Sequence, residues 1–187
     1  MKTLQPLIFL IPVVALILVV GFYFIILKKA TDKTLFKRFT FITLLLAFII
    51  NFAWEIIQGP LYIGFTYSIS HIAFCGLASV ADAIMVLLIY FVLTIIYKDL
   101  LWIKHINLQR TLIPILIGGI GAILAEMRYL SLGNWSYASS MPVLPFVNAG
   151  LSPVLQFMLL PGLIFYVSSI LFKKYRWNEN VSTDNSK

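Results

Sequence analysis

The sequence predicts an all-α integral membrane protein, a bundle of about five transmembrane helices with its amino terminus outside and its carboxyl terminus in the cytoplasm. Three observations predict it. Hydrophobic residues make up 61% of the 187, and the mean hydropathy is +0.98. Charged residues are only 11%, under half the share of about 25% usual in a soluble domain. The charges also collect between long apolar runs rather than dispersing along the chain. The length suits one domain, expected over residues 1–172, followed by a polar cytoplasmic tail at 173–187.

A helix needs roughly 20 apolar residues to cross a hydrocarbon core about 30 Å thick. Five stretches approach or exceed that length, at approximately 6–27, 39–59, 72–97, 111–130 and 151–172. The first follows Lys2 and resembles a signal peptide, but its apolar run is too long and no small-x-small site follows, so it is expected to stay in the membrane. Pro12 lies inside it, and Pro114 and Pro161 are expected near helix ends, where neighbouring helices satisfy the freed backbone groups. The second span stops at Gly59-Pro60. The final stretch, WNENVSTDNSK, is polar and expected to be disordered. No internal repeat is evident, which counts against a transporter built from inverted halves.

Orientation follows from Lys and Arg, which concentrate in short cytoplasmic loops. Lys28, Lys29, Lys33, Lys37 and Arg38 follow the first span, and Lys98, Lys104 and Arg110 follow the third. Lys173, Lys174, Arg176 and Lys187 sit in the tail. Only Lys2 and Arg128 fall on the other side, so all loops agree. This placement, and not nucleic-acid binding, accounts for the net charge of +7. The expected location is the cell (inner) membrane, as a multi-pass protein. Tyr62, Tyr67, Tyr129, Trp135 and Tyr137 would mark the outer interface, and Tyr97, Trp102, Tyr175 and Trp177 the inner one.

Ionisable groups within spans cost about 2.5–3.5 kcal/mol each on insertion scales, so they face the bundle interior and are functional candidates by default. Glu55, Asp82 and Glu126 qualify. Asn51, Glu55 and Gln58 follow i, i+4, i+7 spacing, one helix face, with Trp54 beside them. His71, Cys75, Ala78 and Asp82 share a face of the third span. Glu126 shares a face with Ala122 and Gly119, within the small-residue run GGIGA that permits close helix approach. Gln156 sits just inside the outer end of the fifth span. With alternating span directions, Glu55, Glu126, His71 and Gln156 fall within roughly two turns, about 10 Å, of the outer boundary. Asp82 lies deeper. The stretch RYLSLGNWSYASSMPVLPFVNAG is outside too, and is expected to fold over this polar pocket as a lid.

Each group also has a plainer reading. Asn51 and Gln58 are equally suited to holding helices together, His71 to sitting wetted at the boundary, and Glu126 to pairing with Arg128. Cys75 suits core packing, and as the single cysteine it excludes any intrachain disulfide or CxxC motif. Glu55 and Asp82 are hardest to explain away, because no Lys or Arg in the neighbouring spans is placed to neutralise them.

The runs NFAWEIIQGPLY, SHIAFCGLASVADAIMVL, NWSYASSMPVLP and GLSPVLQ resemble a pattern of small bacterial polytopic membrane proteins, in which a WExxQxPLY segment precedes a His and an Asp on the next helix. The likeness covers roughly residues 50–160. It implies a helical membrane architecture and groups Trp54, Glu55, Gln58, His71, Asp82, Trp135, Tyr137, Pro142 and Gln156 into one constellation. It brings no activity, substrate or cofactor.

Three functions compete. The first is an enzyme acting on a lipid, isoprenoid or other apolar small molecule, with Glu55, Asp82, Glu126 and His71 as acid/base candidates. Asn51, Trp54, Gln58, Trp135, Tyr137 and Gln156 would then contact substrate. The second is a small proton- or cation-coupled transporter or channel subunit using Asp82 and Glu55. The third is an accessory subunit whose polar face docks to another membrane protein. Membrane lipids are the expected partners, and the cofactor and oligomeric state stay open. A metal held by His71 and Asp82 is disfavoured, because eleven residues of helix separate them by roughly 16 Å. Serine-nucleophile, phosphate-loop and paired-histidine haem signatures are absent.

Overall fold

The computed structural model describes residues 6–105 and 107–184, with side chains for 8–105 and 107–172. It is helical: α1 (Leu10–Lys29), α2 (Lys33–Gln58), α3 (Ile69–Tyr97), α4 (Leu108–Ser131) and α5 (Leu151–Asp184). Short 3-10 turns precede α1, follow α2 and precede α4, and the described residues contain no strand, only two isolated β-bridges. All five helices are long and apolar enough to cross a membrane, the fifth through its stretch Leu151–Phe172.

Hydropathy alone places several starts late, because the capping residues lie outside the apolar runs. The Asp32 carboxylate accepts from Leu35 N at 2.8 Å, so α2 begins six residues before the expected 39. Ser68 caps α3 by accepting from His71 N at 3.4 Å, and Asn107 caps α4 by accepting from Arg110 N at 2.8 Å. Each satisfies an N–H that has no partner within the helix. At the other extreme, α5 continues to Asp184. The backbone is helical through most of the tail where disorder is expected, since extending an existing helix is far easier than nucleating one.

Pro161 also departs from expectation, being fully buried in the middle of the apolar part of α5. Lacking an N–H, it releases the carbonyl of Phe157, four residues back. That oxygen faces Gly118 of α4 so closely that any Cβ there would collide with it. The proline in one helix and the glycine in the next thus form a single packing device. Gly119 abuts Met158 in the same seam.

Packing order differs from chain order. α3 packs against α1 and α2, α2 also against α5, and α5 also against α4, whereas direct α1–α2 and α3–α4 contact is slight. The 3-10 turn before α1 reaches α4 through Tyr129 Oη, which donates to Ile8 O at 3.2 Å.

Lengthwise the bundle has two halves. Where α2 begins and α3 ends, Phe36, Phe39, Tyr90, Phe91 and Phe165 make an aromatic core. The Phe39–Tyr90 and Tyr90–Phe165 ring centroids are 5.4 and 6.0 Å apart. The opposite half is polar. There the turn after α2 is stitched to the 132–150 strap between α4 and α5: Ile63 N donates to Ser136 O and Ala138 N to Leu61 O, both at 2.9 Å.

Candidate carboxyl site

The polar half is built by three helices. Helical spacing turns Asn51, Glu55 and Gln58 inward together, and Asn51 is 1% exposed. From α5, Gln156, also 1% exposed, enters at the same level. Its Nε2 donates to Asn51 Oδ1 at 2.9 Å and to Asp82 Oδ2 of α3 at 3.0 Å. Its Oε1 accepts from Gln58 Nε2 at 3.0 Å. One amide therefore ties α2, α3 and α5 together.

Gln58 is used to capacity. Its two N–H groups go to Gln156 and, at 2.7 Å, to Glu55 Oε1. Its oxygen accepts from Trp54 Nε1 at 3.2 Å and from Ser152 Oγ at 2.8 Å. A primary amide has two donors and two acceptor sites, so none remains. Asn51 Nδ2 donates to Ala47 O at 2.8 Å, and its oxygen takes Gln156. These amides are a frame.

The carboxyls are not used up. Glu55 and Asp82 are joined through the Gln58–Gln156 amides, which donate one N–H to each of them. Each carboxyl has about four acceptor sites, of which these amides fill only one or two. Both residues keep part of their surface uncovered.

Glu126 forms a second tier nearer the rim. It is buried, and its Oε2 accepts from Trp135 Nε1 at 3.3 Å and from the Tyr137 hydroxyl. Both donors come from the strap, so the expected lid is the element that holds Glu126. Arg128 is exposed two positions on, a spacing that does not place side chains face to face on a helix. The Tyr137 hydroxyl also accepts from Gly150 N at 2.8 Å, and the Gly150 position has no room for a side chain against the Tyr137 ring.

Tyr62 bridges the tiers. Its ring lies 5.7 Å from that of Tyr137 and 6.2 Å from that of Trp135. Burial first, then the charges of Glu126 and Glu55, push its phenol far above the ordinary tyrosine range. Burial, followed by the bond to Glu126, raises Tyr137 in the same direction. Both phenols therefore stay protonated, and that of Tyr137 donates to Glu126.

His71 is placed elsewhere. Its Nδ1 lies 2.9 Å from Thr66 Oγ1, 3.0 Å from Thr66 O and 3.2 Å from Ser68 Oγ, and its ring stacks on Phe65 at 5.7 Å. It closes the turn before α3. Among the described residues no group of three or more His, Cys, Asp or Glu is arranged to hold a metal. Cys75 is buried and its Sγ donates to Glu55 O at 3.8 Å.

Two participants escape the sequence reading. Ser152 lies four residues before Gln156 and so on its helix face, a signal that was present. Tyr62 reads as an interface marker until the turn after α2 folds it back over the site.

Compared with protein-family models, curated proteins and solved structures, the chain matches none. What fold and site define is a class: a five-helix apolar bundle with a framed carboxyl pair in one half.

Proposed function

We propose that the protein is a membrane-embedded enzyme that performs acid/base chemistry on an apolar, lipid or isoprenoid-like substrate at the Glu55–Asp82 pair. The observation that carries this reading is the contrast between saturated amides and unsaturated carboxyls. Gln58 and Asn51 have little or nothing left to offer a ligand, whereas Glu55 and Asp82 keep open surface. With one proton held between them, two such carboxyls are both an acid and a base. The protonated member gives its proton to one substrate atom while the ionised member removes one from another, so the step balances as an isomerisation and consumes nothing else. Glu126, held by Tyr137 and Trp135, stands at the rim to exchange protons with the surroundings.

Orientation belongs to the same proposal. The Lys and Arg distribution supports an outside amino terminus and a cytoplasmic carboxyl terminus in the inner cell membrane, which puts the carboxyl site in the outer half. The likeness to small bacterial polytopic proteins agrees with that location.

A second reading, a proton- or cation-coupled carrier, draws on another observation. The hydroxyls of Thr40, Thr43 and Ser168 are buried without a hydrogen-bond partner on two of the same helices, α2 and α5, below the carboxyl pair. Buried polar atoms of this kind commonly hold water.

Glu55→Gln and Asp82→Asn, expressed separately, test the two. Lipid extracts of expressing cells are compared by mass spectrometry, with thermal melting of the purified variants as the folding control. Folded variants that lose a lipid species made by the wild type support the enzyme. Unchanged lipids together with a phenotype that follows the proton gradient favour the carrier.

A further inference from the structure

We infer that the strap between α4 and α5 re-enters the lipid leaflet, so that residues 142–149 lie among acyl chains and roof the carboxyl site from the lipid side. The partner this surface fits is the bilayer itself.

The first observation is charge. Neither the strap, residues 132–150, nor the turn at 59–68 stitched to it contains a single Asp, Glu, Lys or Arg, whereas residues 28–38 at the opposite end contain five Lys and Arg and one Asp. A water-facing loop of this length would ordinarily carry charge, and a leaflet penalises it.

The second is depth. Leu144, Val147 and Ala149 of the strap join Ala122 and Ile123 of α4 and Val154 of α5 in one apolar cluster. Ala122 lies nine residues before Ser131, the end of α4, or about 13 Å along the axis. After α4 ends, the strap therefore turns back alongside it instead of continuing outward. Tyr137 fixes the return by joining Glu126 of α4 to Gly150 at the start of α5.

The third is the tip. Leu144 N donates to Ala149 O at 2.8 Å and Asn148 N to Leu144 O at 3.1 Å, closing a tight loop in which Phe146 has φ +72° and Asn148 φ +52°. A bulky residue at positive φ is strained. Phe146 is nonetheless 101% exposed, so nothing in the protein rewards the strain. Acyl chains around the ring would, because aromatic burial is among the larger apolar gains. Exposed Val143 on the strap and Ile63 on the adjoining turn extend the same apolar rim. Irregular backbone at membrane depth is tolerated where protein packs against it, and the cluster with α4 and α5 supplies that packing.

For the acid/base reading, on which this consequence alone rests, substrate reaches Glu55 and Asp82 sideways from the leaflet. The placement itself is tested without assaying catalysis. Phe146→Cys is made in a Cys75→Ser chain, which removes the sole natural cysteine, labelled with an environment-sensitive nitrobenzoxadiazole dye and reconstituted in phosphatidylcholine vesicles. A phosphatidylcholine carrying a nitroxide at acyl carbon 5 should quench the dye several-fold more than aqueous iodide does. Stronger quenching by iodide overturns the inference. Should Cys75→Ser cost the fold, Phe146→Cys is labelled alone against a wild-type blank, since Cys75 is buried. An iodide-accessible tip with Glu55-dependent lipid conversion intact sinks the leaflet placement and leaves the acid/base reading. A lipid-quenched tip with no conversion by the wild type does the reverse.

Discussion

The amide of Gln58 donates to the side-chain oxygen of Gln156 at 3.0 Å, joining α2 to α5 at the centre of a frame that also holds Asn51, Ser152 and the carboxyls. Removing Gln156 leaves Asn51, Gln58 and Asp82 each short of a partner inside an apolar bundle. Gln156→Ala should therefore cost about 1–3 kcal/mol, against roughly 0.6 kcal/mol for Ser152→Ala, which deletes one of the four bonds to Gln58. Thermal unfolding in detergent reads both, and equal losses would show that Gln156 is not the hub.

The proposed reaction requires one proton on the Glu55–Asp82 pair, which makes one of them a carboxylic acid within a span. Dicyclohexylcarbodiimide, an apolar reagent for protonated carboxyls, should attach to one member of the pair and not to both. Intact-protein mass spectrometry followed by peptide mapping checks the count. No adduct on either residue would remove that proton.

The seam between Phe157 and Gly118 admits no Cβ. Gly118→Ala should push α4 from α5 and destabilise by about 1–3 kcal/mol, the usual cost of overpacking. Gly121, with nothing near its missing Cβ, should tolerate alanine or gain up to about 1 kcal/mol in helix propensity. Paired melting curves decide, and a harmless Gly118→Ala would contradict the contact.

Tyr62 and Tyr137 hold their protons above the ordinary tyrosine range in the folded chain. In the unfolded chain they ionise near a pH of about 10. Above that point the folded state retains protons that the unfolded state has released, so stability present below about pH 10 is lost as pH rises further. Tyr62→Phe should flatten that decline between about pH 9.5 and 11, read as melting temperature against pH. A variant that declines as steeply as the wild type would count against the burial of Tyr62.

Removing the Tyr137 hydroxyl frees the strap at both of its anchors. In Tyr137→Phe the Gly150 N–H has lost its acceptor and Glu126 a donor. Hydrogen exchange at Gly150 and Leu151 should quicken while the aromatic half stays protected, a local opening and not a global one. Unchanged exchange there would mean that the apolar cluster around Ala149 suffices.

The spans were legible because hydropathy is a property of each run by itself. Their starts were less so, since Asp32, Ser68 and Asn107 act through single hydrogen bonds outside those runs. The inward face of α2 was readable from the spacing of Asn51, Glu55 and Gln58. The centrality of Gln156 was not, because the register of α5 on α2 is set by side chains about a hundred positions apart. Glu126 illustrates the same limit, as its partners arrive with the fold of the strap. His71 shares a helical face with Asp82 about three turns away, but its contacts with Thr66, Ser68 and Phe65 depend on how the turn before α3 folds.

That separation also has a cost in time. Gln58 and Gln156 are 98 positions apart, and Asn51 and Gln156 are 105 apart. At roughly 5–20 residues per second, a ribosome needs about 5–20 s to make the intervening chain. For that interval Asn51, Glu55 and Gln58 enter the bilayer before Gln156, the residue that ties Asn51 and Gln58 together, exists. Nascent α2 must be sheltered by the insertion machinery or by α3 until α5 emerges, which makes release from that machinery, rather than insertion, the step most sensitive to changes at Gln156.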